Sequence, residues 1–323
     1  MKRFRVIFMG TPEFAVPCLA SLAEYCEIVG VITQPDKPSG RGQKLRPSPV
    51  KVWAENHGYP VWQPAKVRTE DCVAFLREKK PDLFIVVAFG QILSQELLDI
   101  PKYGCINVHA SLLPRYRGAA PMQWCIINGE KETGVTTMFM DAGLDTGDML
   151  VKETMPIGED ATLEDVHDGL MSLGAKALYE TLEKLSEGTL ERHPQTGESN
   201  YAGRITKETG HIDWTKSAEE IHNLVRGLNP VPGAYTFLDG KKFKIWKAEL
   251  AEKTEVMEQH TASDLQPGMI LAANAKDGLL VVTGQGILKI LEIQAPGKKR
   301  MDTAAYLNGH GIELPAVFES AGS

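Results

Sequence analysis

The sequence predicts an α/β protein, with a Rossmann-like, mostly parallel sheet followed by a second, smaller β-rich domain. Three observations carry this. Apolar runs alternate with helical stretches as far as about residue 188, the pattern that right-handed crossovers turn into a parallel sheet. The runs "FRVIFMG" and "DLFIVVAFG" are almost continuously apolar, as strands covered on both faces require. After about residue 205, short strand-like runs follow one another, separated by turn residues. That spacing suggests a small barrel or sandwich.

The elements follow in order. "FRVIFMG" is the first strand, and "TPEFAVPCLASL" begins a helix with Thr11 as N-cap, Pro12 at the first helical position and Glu13 in the first turn. Phe14, Cys18 and Leu22 share its apolar face. "EIVGVITQ" is the second strand, followed by a Pro/Gly/Lys/Arg loop and two helices, "SPVKVWAENHG" and "DCVAFLREKK". "DLFIVVAFG" and "CINVHAS" are further strands; "ETGVTTMFMD" and "DMLVKETMPIG" pair around the loop "AGLDTG". A long amphipathic helix starts at a capping-box-like Thr162-x-x-Asp165 and stops at Gly188. Residues 189–206 are polar with few apolar anchors and read as a linker. "SAEEIHNLVRGLN" opens on a Ser217-x-x-Glu220 capping box, and five strands follow, from "AYTFLDG" to "GILKILEIQ". The expected division is a catalytic domain over 1–188, a linker over 189–206 and a β domain over 207–323.

Composition narrows the function. At 43% hydrophobic and 24% charged, the 323-residue chain fits a soluble globular protein. Its net charge of -7 leaves nucleic-acid contact to a local basic patch. Five scattered cysteines without C-x-x-C indicate reduced thiols in a cytoplasmic protein. The apolar run at the N-terminus ends at Gly10-Thr11-Pro12-Glu13, too soon for a signal peptide, and no run is long enough to span a bilayer. The eight histidines are dispersed, so no metal is expected. The Gly10-Thr11-Pro12 turn is not a dinucleotide fingerprint and no Walker A motif occurs, so no nucleotide cofactor is expected.

The chemistry concentrates in "CINVHASLLPRYRGAAP". Strand period places Asn107 and His109 on one face near the end of an inferred parallel strand, the edge where open α/β sheets bind ligands. A satisfied polar pair in the core is the bland alternative. The functional reading is electrostatic: an amide N–H and an imidazole N–H aimed at an oxygen that gains negative charge. "DAGLDTGD" offers Asp141, Asp145 and Asp148 to orient His109, and spacing alone does not choose among them or distinguish them from turn residues. Nothing specific supports a nucleophilic pair of Cys125 with His109. Residues 34–51 carry Lys37, Arg41, Lys44, Arg46 and Lys51 against Asp36 alone. This is either a solvated charged loop or a phosphate contact at the catalytic edge. "KKFKIWK" and "GKKR" add smaller basic clusters in the second domain.

The chain resembles the folate-dependent formyltransferases over essentially its whole length. "GCINVHASLLPRYRGAAP" and "GLDTGDM" are similar to the two signature segments of that family's catalytic domain. The resemblance implies a catalytic triad of Asn107, His109 and Asp145. It implies folate contacts from Ser111, Leu112, Leu113 and Pro114, with the pterin held by backbone around Phe89, Gly90, Gln91, Ile92 and Leu93. "GTPEFAV", the basic insert and the β-rich second domain resemble the branch acting on methionine carried by initiator tRNA. In that branch the basic loop, with Arg41 as its key arginine, approaches the acceptor stem. The implied co-substrate is 10-formyltetrahydrofolate, the implied second domain is an OB-like barrel that binds tRNA, and a monomer is expected. Alternatives are formyl-donor hydrolysis, formylation of a small amine, or a folate- or RNA-binding module that does no chemistry.

Overall fold

Residues 2–39, 44–252 and 265–321 are described in this computed structural model, and they fall into two units. The first takes the chain as far as Pro121, then Glu132–Pro156 and His167–Gly203; the second takes Met122–Lys131, Ile157–Val166 and the chain from Arg204 onward.

The strands of the first unit are β1 (Arg5–Gly10), β2 (Glu27–Ile32), β3 (Lys37–Ser39), β4 (Lys44–Arg46), β5 (Val61–Trp62), β6 (Leu83–Val87), β7 (Cys105–His109), β8 (Arg117–Gly118), β9 (Glu132–Phe139), β10 (Met149–Pro156) and β11 (Tyr201–Ala202). Seven form one sheet in the order β10-β9-β7-β6-β1-β2-β5. The five from β7 to β5 are parallel, and β9 and β10 add an antiparallel edge. Every residue of β6 is buried, which explains its unbroken apolar sequence. One face of the sheet packs Ile7, Met9, Phe84 and Val86 against Val73 and Leu76. The first unit's helices are α1 (Val16–Tyr25), α2 (Pro49–Asn56), α3 (Glu70–Glu78) and α4 (Gln95–Leu98); α5 (Pro121–Ile127) falls almost wholly in the second unit, and α6 (Leu163–Glu187) begins there and continues in the first. Because the chain leaves β1 for β2 on one side and returns to β6 on the other, strand order reverses between β1 and β6. The ligand crevice of such a sheet opens there, beyond the strand ends.

Two local expectations change. Thr11 does not cap the first helix: a 3-10 turn (Glu13–Ala15) precedes α1, and neither Pro12 nor Ala15 supplies a side-chain cap. The Thr11 hydroxyl instead donates to Phe89 O (3.1 Å) and accepts from Gln34 N (3.3 Å), tying the loops after β2 and β6 to the end of β1. The basic stretch is a hairpin, with Lys37 opposite Arg46 and Ser39 opposite Lys44; Arg41 lies outside the described residues. Residues 189–203 group with the first unit. There His193 bridges Met149, and β11 pairs in parallel with β8.

The capping box of α6 forms with aspartate in place of the usual glutamate. Thr162 N and its hydroxyl both donate to Asp165 Oδ2 (2.8 and 2.7 Å). These bonds, the hydroxyl's first, lower the Asp165 carboxyl below its ordinary 3.8. A carboxyl lowered on folding stabilises above its unfolded value and loses that contribution as pH falls through the folded one. Asp165 should therefore add nothing pH-dependent above about pH 5 and lose its stabilisation below about pH 4. Thr162→Ala should cost ~1 kcal/mol, measured by thermal melts at pH 7 and pH 3, and the difference between wild type and variant should shrink at pH 3.

The second unit holds β12 (Ala234–Leu238), β13 (Lys241–Leu250), β14 (Ile270–Asn274), β15 (Gly278–Val282), β16 (Ile287–Gln294) and β17 (Met301–Asp302), with α7 (Ala218–Gly227) and α8 (Thr303–Gly309). The antiparallel order is β12-β13-β16-β15-β14, with β17 on β16. The two outer strands both bridge the C-terminal segment, Phe237 to Glu319 and Met269 to Val317, which joins the ladder into a ring. Inside lie Trp214, Phe243, Ile245 and Phe318, and Trp214 Nε1 donates to Thr236 Oγ1 (3.0 Å). The Ser217–Glu220 capping box forms as expected. From α7, buried Arg226 donates to Ala161 O (2.9 Å) and Gly158 O (3.3 Å), so the 157–166 excursion is held by a side chain of this unit.

Candidate active site

Strand β7 pairs with β6 on one side and β9 on the other. Asn107 and His109 therefore leave the same face, one strand away from the crevice. Asn107 is half-buried, and its amide has no hydrogen-bond partner among the described residues. A carboxamide next to an open strand end with unused donors is what an oxyanion site needs. His109 is only 6% exposed. Its Nε2 lies 2.9 Å from the Tyr116 carbonyl. A carbonyl can only accept, so Nε2 carries the proton and donates. Nδ1 is left for chemistry, 3.8 Å from Asp145 Oδ2, beyond hydrogen-bond reach but close enough to attract a charged ring.

The three aspartates are not equivalent. Asp141 Oδ1 accepts from Gly143 N (2.9 Å) and Thr146 Oγ1 (2.7 Å), a turn role. Asp148 pairs with Arg192 (2.9 Å). Asp145 alone among them approaches His109. It sits at φ +53°, a left-handed conformation that aspartate tolerates better than most residues. Gly118 N donates to its Oδ2 (2.8 Å), and Gln195 Nε2 donates to its carbonyl (2.8 Å). Gly147, two residues on from Asp145, stands where a Cβ would run into the Phe139 carbonyl.

The turn after β7 is held from below. Buried Thr136 donates to Ser111 O (2.7 Å) and accepts from Leu113 N (3.2 Å). Lys152 Nζ donates to Leu113 O (2.6 Å), and partial burial lowers the pKa of its ammonium. Ser111 Oγ donates to Arg115 O (2.7 Å). The Ser111 side chain is thus spent on the turn, Leu113 is held by its backbone with its side chain buried, and Leu112 and Pro114 are half-exposed. In the loop after β6, Phe89 and Leu93 belong to the core. Gln91 is spent on Val67 N (2.8 Å) and Pro64 O (3.1 Å), and Ile92 is exposed. Ala88 and Gly90 have positive φ. At 88–90 the loop turns mainly backbone outward, while further on it exposes the Ile92 side chain.

Lys37 and Arg46 are exposed, whereas Lys51 pairs with Asp36 (2.8 Å), which also accepts from Gln63 (2.6 Å). The backbone of Lys44 lies in β4. Cys125 falls in the second unit's excursion, its thiol directed at Met122 O (3.1 Å). Among the described residues no group of three or more His, Cys, Asp or Glu could hold a metal ion, and no helix is long and apolar enough to cross a membrane. Sequence reasoning missed Tyr116, Gly118, Thr136, Lys152 and Gln195. All but Lys152 and Gln195 act through backbone or a hydroxyl, which leaves no periodic signal.

A family model described as formyl transferase matches residues 2–182, and the C-terminal domain of formyl transferase matches residues 204–311. The chain belongs to the formyl transferase family. Curated family members include the methionyl-tRNA formyltransferase of Geobacter sulfurreducens, 53% identical over all of this chain and 99% of that one. That of Alkaliphilus oremlandii is 52% identical over 96% and 97%. Among solved structures, the formyl transferase fold recurs in WlaRD, a sugar 3N-formyl transferase determined with dTDP and 5-N-formyl-THF. Its TM-score is 0.62 at 21% identity, covering 93% of this chain and all of that one. HypX from Aquifex aeolicus, determined with tetrahydrofolic acid, gives 0.61 at 19%, covering 96% of this chain and 48% of that one.

Proposed function

We propose that the chain transfers the formyl group of 10-formyltetrahydrofolate to the α-amino group of methionine on initiator tRNA, as a cytoplasmic monomer. The observation that carries the chemistry is the unpartnered Asn107 amide beside His109 Nδ1 and Asp145 at the sheet's ligand edge. The acceptor is supported by whole-chain similarity to enzymes named for methionyl-tRNA. A free α-amino group has a pKa of about 8, and the neighbouring ester lowers it, so neutral amine is available near pH 7. The amine attacks the formyl carbon, forming the new C–N bond. The oxygen gains charge beside Asn107 Nδ2 and Nδ1–H of protonated His109, and Asp145 faces that ring. The bond to the folate nitrogen then breaks; that nitrogen takes up a proton, and the amine gives up its own.

The folate donor is a substrate here, and the residues fit it. The exposed backbone at 88 and 90 lies just beyond β6 at the crevice, with the Phe89 carbonyl fixed by Thr11 and Gln34, and the half-exposed Leu112 and Pro114 follow β7. For tRNA, Lys37 and Arg46 stand directly opposite on the β3–β4 hairpin, a like-charge pairing that costs stability until a polyanion arrives. The second unit adds Lys242 over the Tyr235 ring (3.2 Å) and Lys244 and Arg300 beside Trp246, the basic and aromatic mixture that RNA surfaces use.

One assay tests the function: the purified chain is given formyl donor with methionyl-tRNA, methionine methyl ester and water as competing acceptors. Formylmethionyl-tRNA should dominate; donor hydrolysis at the same rate with or without tRNA would establish the hydrolase alternative instead. Arg46→Ala should raise the tRNA KM about tenfold at moderate salt and flatten the log–log salt dependence by about one unit. Lys51→Ala should do less, because its charge is already answered by Asp36.

A further inference from the structure

We infer that Gln195 and Arg117 form a positioning pair that holds Asp145 in its working conformation, so that residues 189–203 complete the active site. This rests on the reading of Asp145 as the partner of His109. The evidence is a closed circuit of hydrogen bonds. The Gln195 amide nitrogen donates to Asp145 O and to Gly147 O, each at 2.8 Å. Both donors are therefore spent on the two carbonyls that flank the turn at Thr146. The Gln195 oxygen accepts from Arg117 Nε (3.0 Å) and Nη2 (2.8 Å). That fork fixes which end of the amide is oxygen, since guanidinium offers only donors. The residue after Arg117 is Gly118, whose N–H holds Asp145 Oδ2 (2.8 Å). The circuit thus grips Asp145 twice, by its backbone carbonyl through Gln195 and by its carboxylate through Gly118 of β8.

The same strand sets the imidazole. Tyr116, just before β8, gives its carbonyl to His109 Nε2 and takes Asn200 Oδ1 on its own N–H. Arg117 N donates to Asn200 O (3.1 Å), and β11 pairs alongside β8. Histidine and aspartate are therefore registered against each other by β8, and β8 is registered by the 193–202 segment. A left-handed Asp145 persists only while its surroundings over-determine it, and Gln195 is the side chain placed to do so. This also gives Arg117 a role: it orients an amide.

The experiment compares Gln195→Glu, Arg117→Lys, Asp145→Asn and the double variant Gln195→Glu/Asp145→Asn, reading single-turnover formyl transfer, KM for both substrates and thermal melting. Glutamate keeps the shape of glutamine and strengthens pairing with Arg117, so a purely structural role would be retained. It has no N–H, and it sets a carboxylate against two carbonyls. The expected result is a single-turnover rate reduced about 10- to 100-fold, both KM values within about threefold of wild type, and melting lowered only slightly, from the two carbonyls left without their donor. Arg117→Lys, which loses the fork, should give a smaller loss in the same parameter. In the Asp145→Asn background Gln195→Glu should cost nothing further, because residues acting as a unit are not additive. Wild-type turnover in Gln195→Glu, or losses that multiply in the double variant, would overturn the assignment of Gln195 while leaving Asp145 in place. Wild-type turnover in Asp145→Asn would instead remove the reading beneath it.

Discussion

Asn107→Ala should lower kcat by about 10²–10³, or ~3–4 kcal/mol of transition-state stabilisation, with little change in either KM. The size follows from what the side chain does not do. Among the described residues it holds up no neighbour: its amide has no partner in the fold, and the register of β7 against β6 and β9 is set by backbone. Truncation therefore removes one donor from the reacting oxygen and leaves its surroundings in place. Melting within about 0.5 kcal/mol of wild type should accompany the loss. Asn107→Asp is the sharper probe. It is nearly isosteric, yet it sets a negative charge where negative charge develops, so it should be at least as inactive as alanine. Turnover of Asn107→Ala within threefold of wild type, measured at saturating donor and tRNA, would exclude an oxyanion role for the amide.

Gly118→Ala should damage stability and rate together. Gly118 adopts φ +112°, a region that L side chains rarely enter. A Cβ there would stand 2.6 Å from the Tyr201 ring and 2.8 Å from the Ala202 carbonyl. Strain of about 1–3 kcal/mol follows from the backbone alone, and relief requires β8 to move off β11. That shift withdraws the N–H from Asp145 Oδ2 and drags the Tyr116 carbonyl from His109. Misplacement of about 1 Å costs on the order of 10² in rate. Melting and kcat should fall in the same variant, whereas Tyr201→Ala combined with Gly118→Ala should recover part of the melting loss by emptying the ring's place. No recovery would mean that the φ requirement, rather than the ring, sets the cost.

Much of this was legible in the sequence because it rests on period and composition. The apolar runs of β1 and β6 announce a sheet covered on both faces, and the two-residue period of Asn107 and His109 announces a polar face at its edge. Both capping boxes were readable from four residues each. The rest depends on partners remote in sequence. Nothing in "ERHPQTGESN" distinguishes a linker from a segment that grips Asp145 fifty residues earlier, because its hold on β8 and Tyr116 runs through backbone and two side-chain amides, those of Gln195 and Asn200. Thr11 looked like a cap because a threonine before Pro-Glu usually is one; a 3-10 turn displaced the helix start and freed the hydroxyl for Phe89. Spacing alone did not choose among Asp141, Asp145 and Asp148; the family resemblance pointed to Asp145, and it is the one whose carboxylate lies near His109. The closing of the second unit's ladder by residues 316–319 has no strand-like pattern behind it.

The two excursions, 122–131 and 157–166, carry a consequence for synthesis. Both are made before α7, yet the Gly158 and Ala161 carbonyls are answered by Arg226. At about 5–20 residues per second, the ribosome needs on the order of 3–12 s to travel from residue 166 to residue 227. Through that interval the early part of the nascent chain holds two stretches whose partners do not yet exist. Cutting at the polar segment, or recombining genes there, would make the wait permanent. Neither unit is a single uninterrupted stretch of chain, so neither is finished before the thread has passed into the other and back.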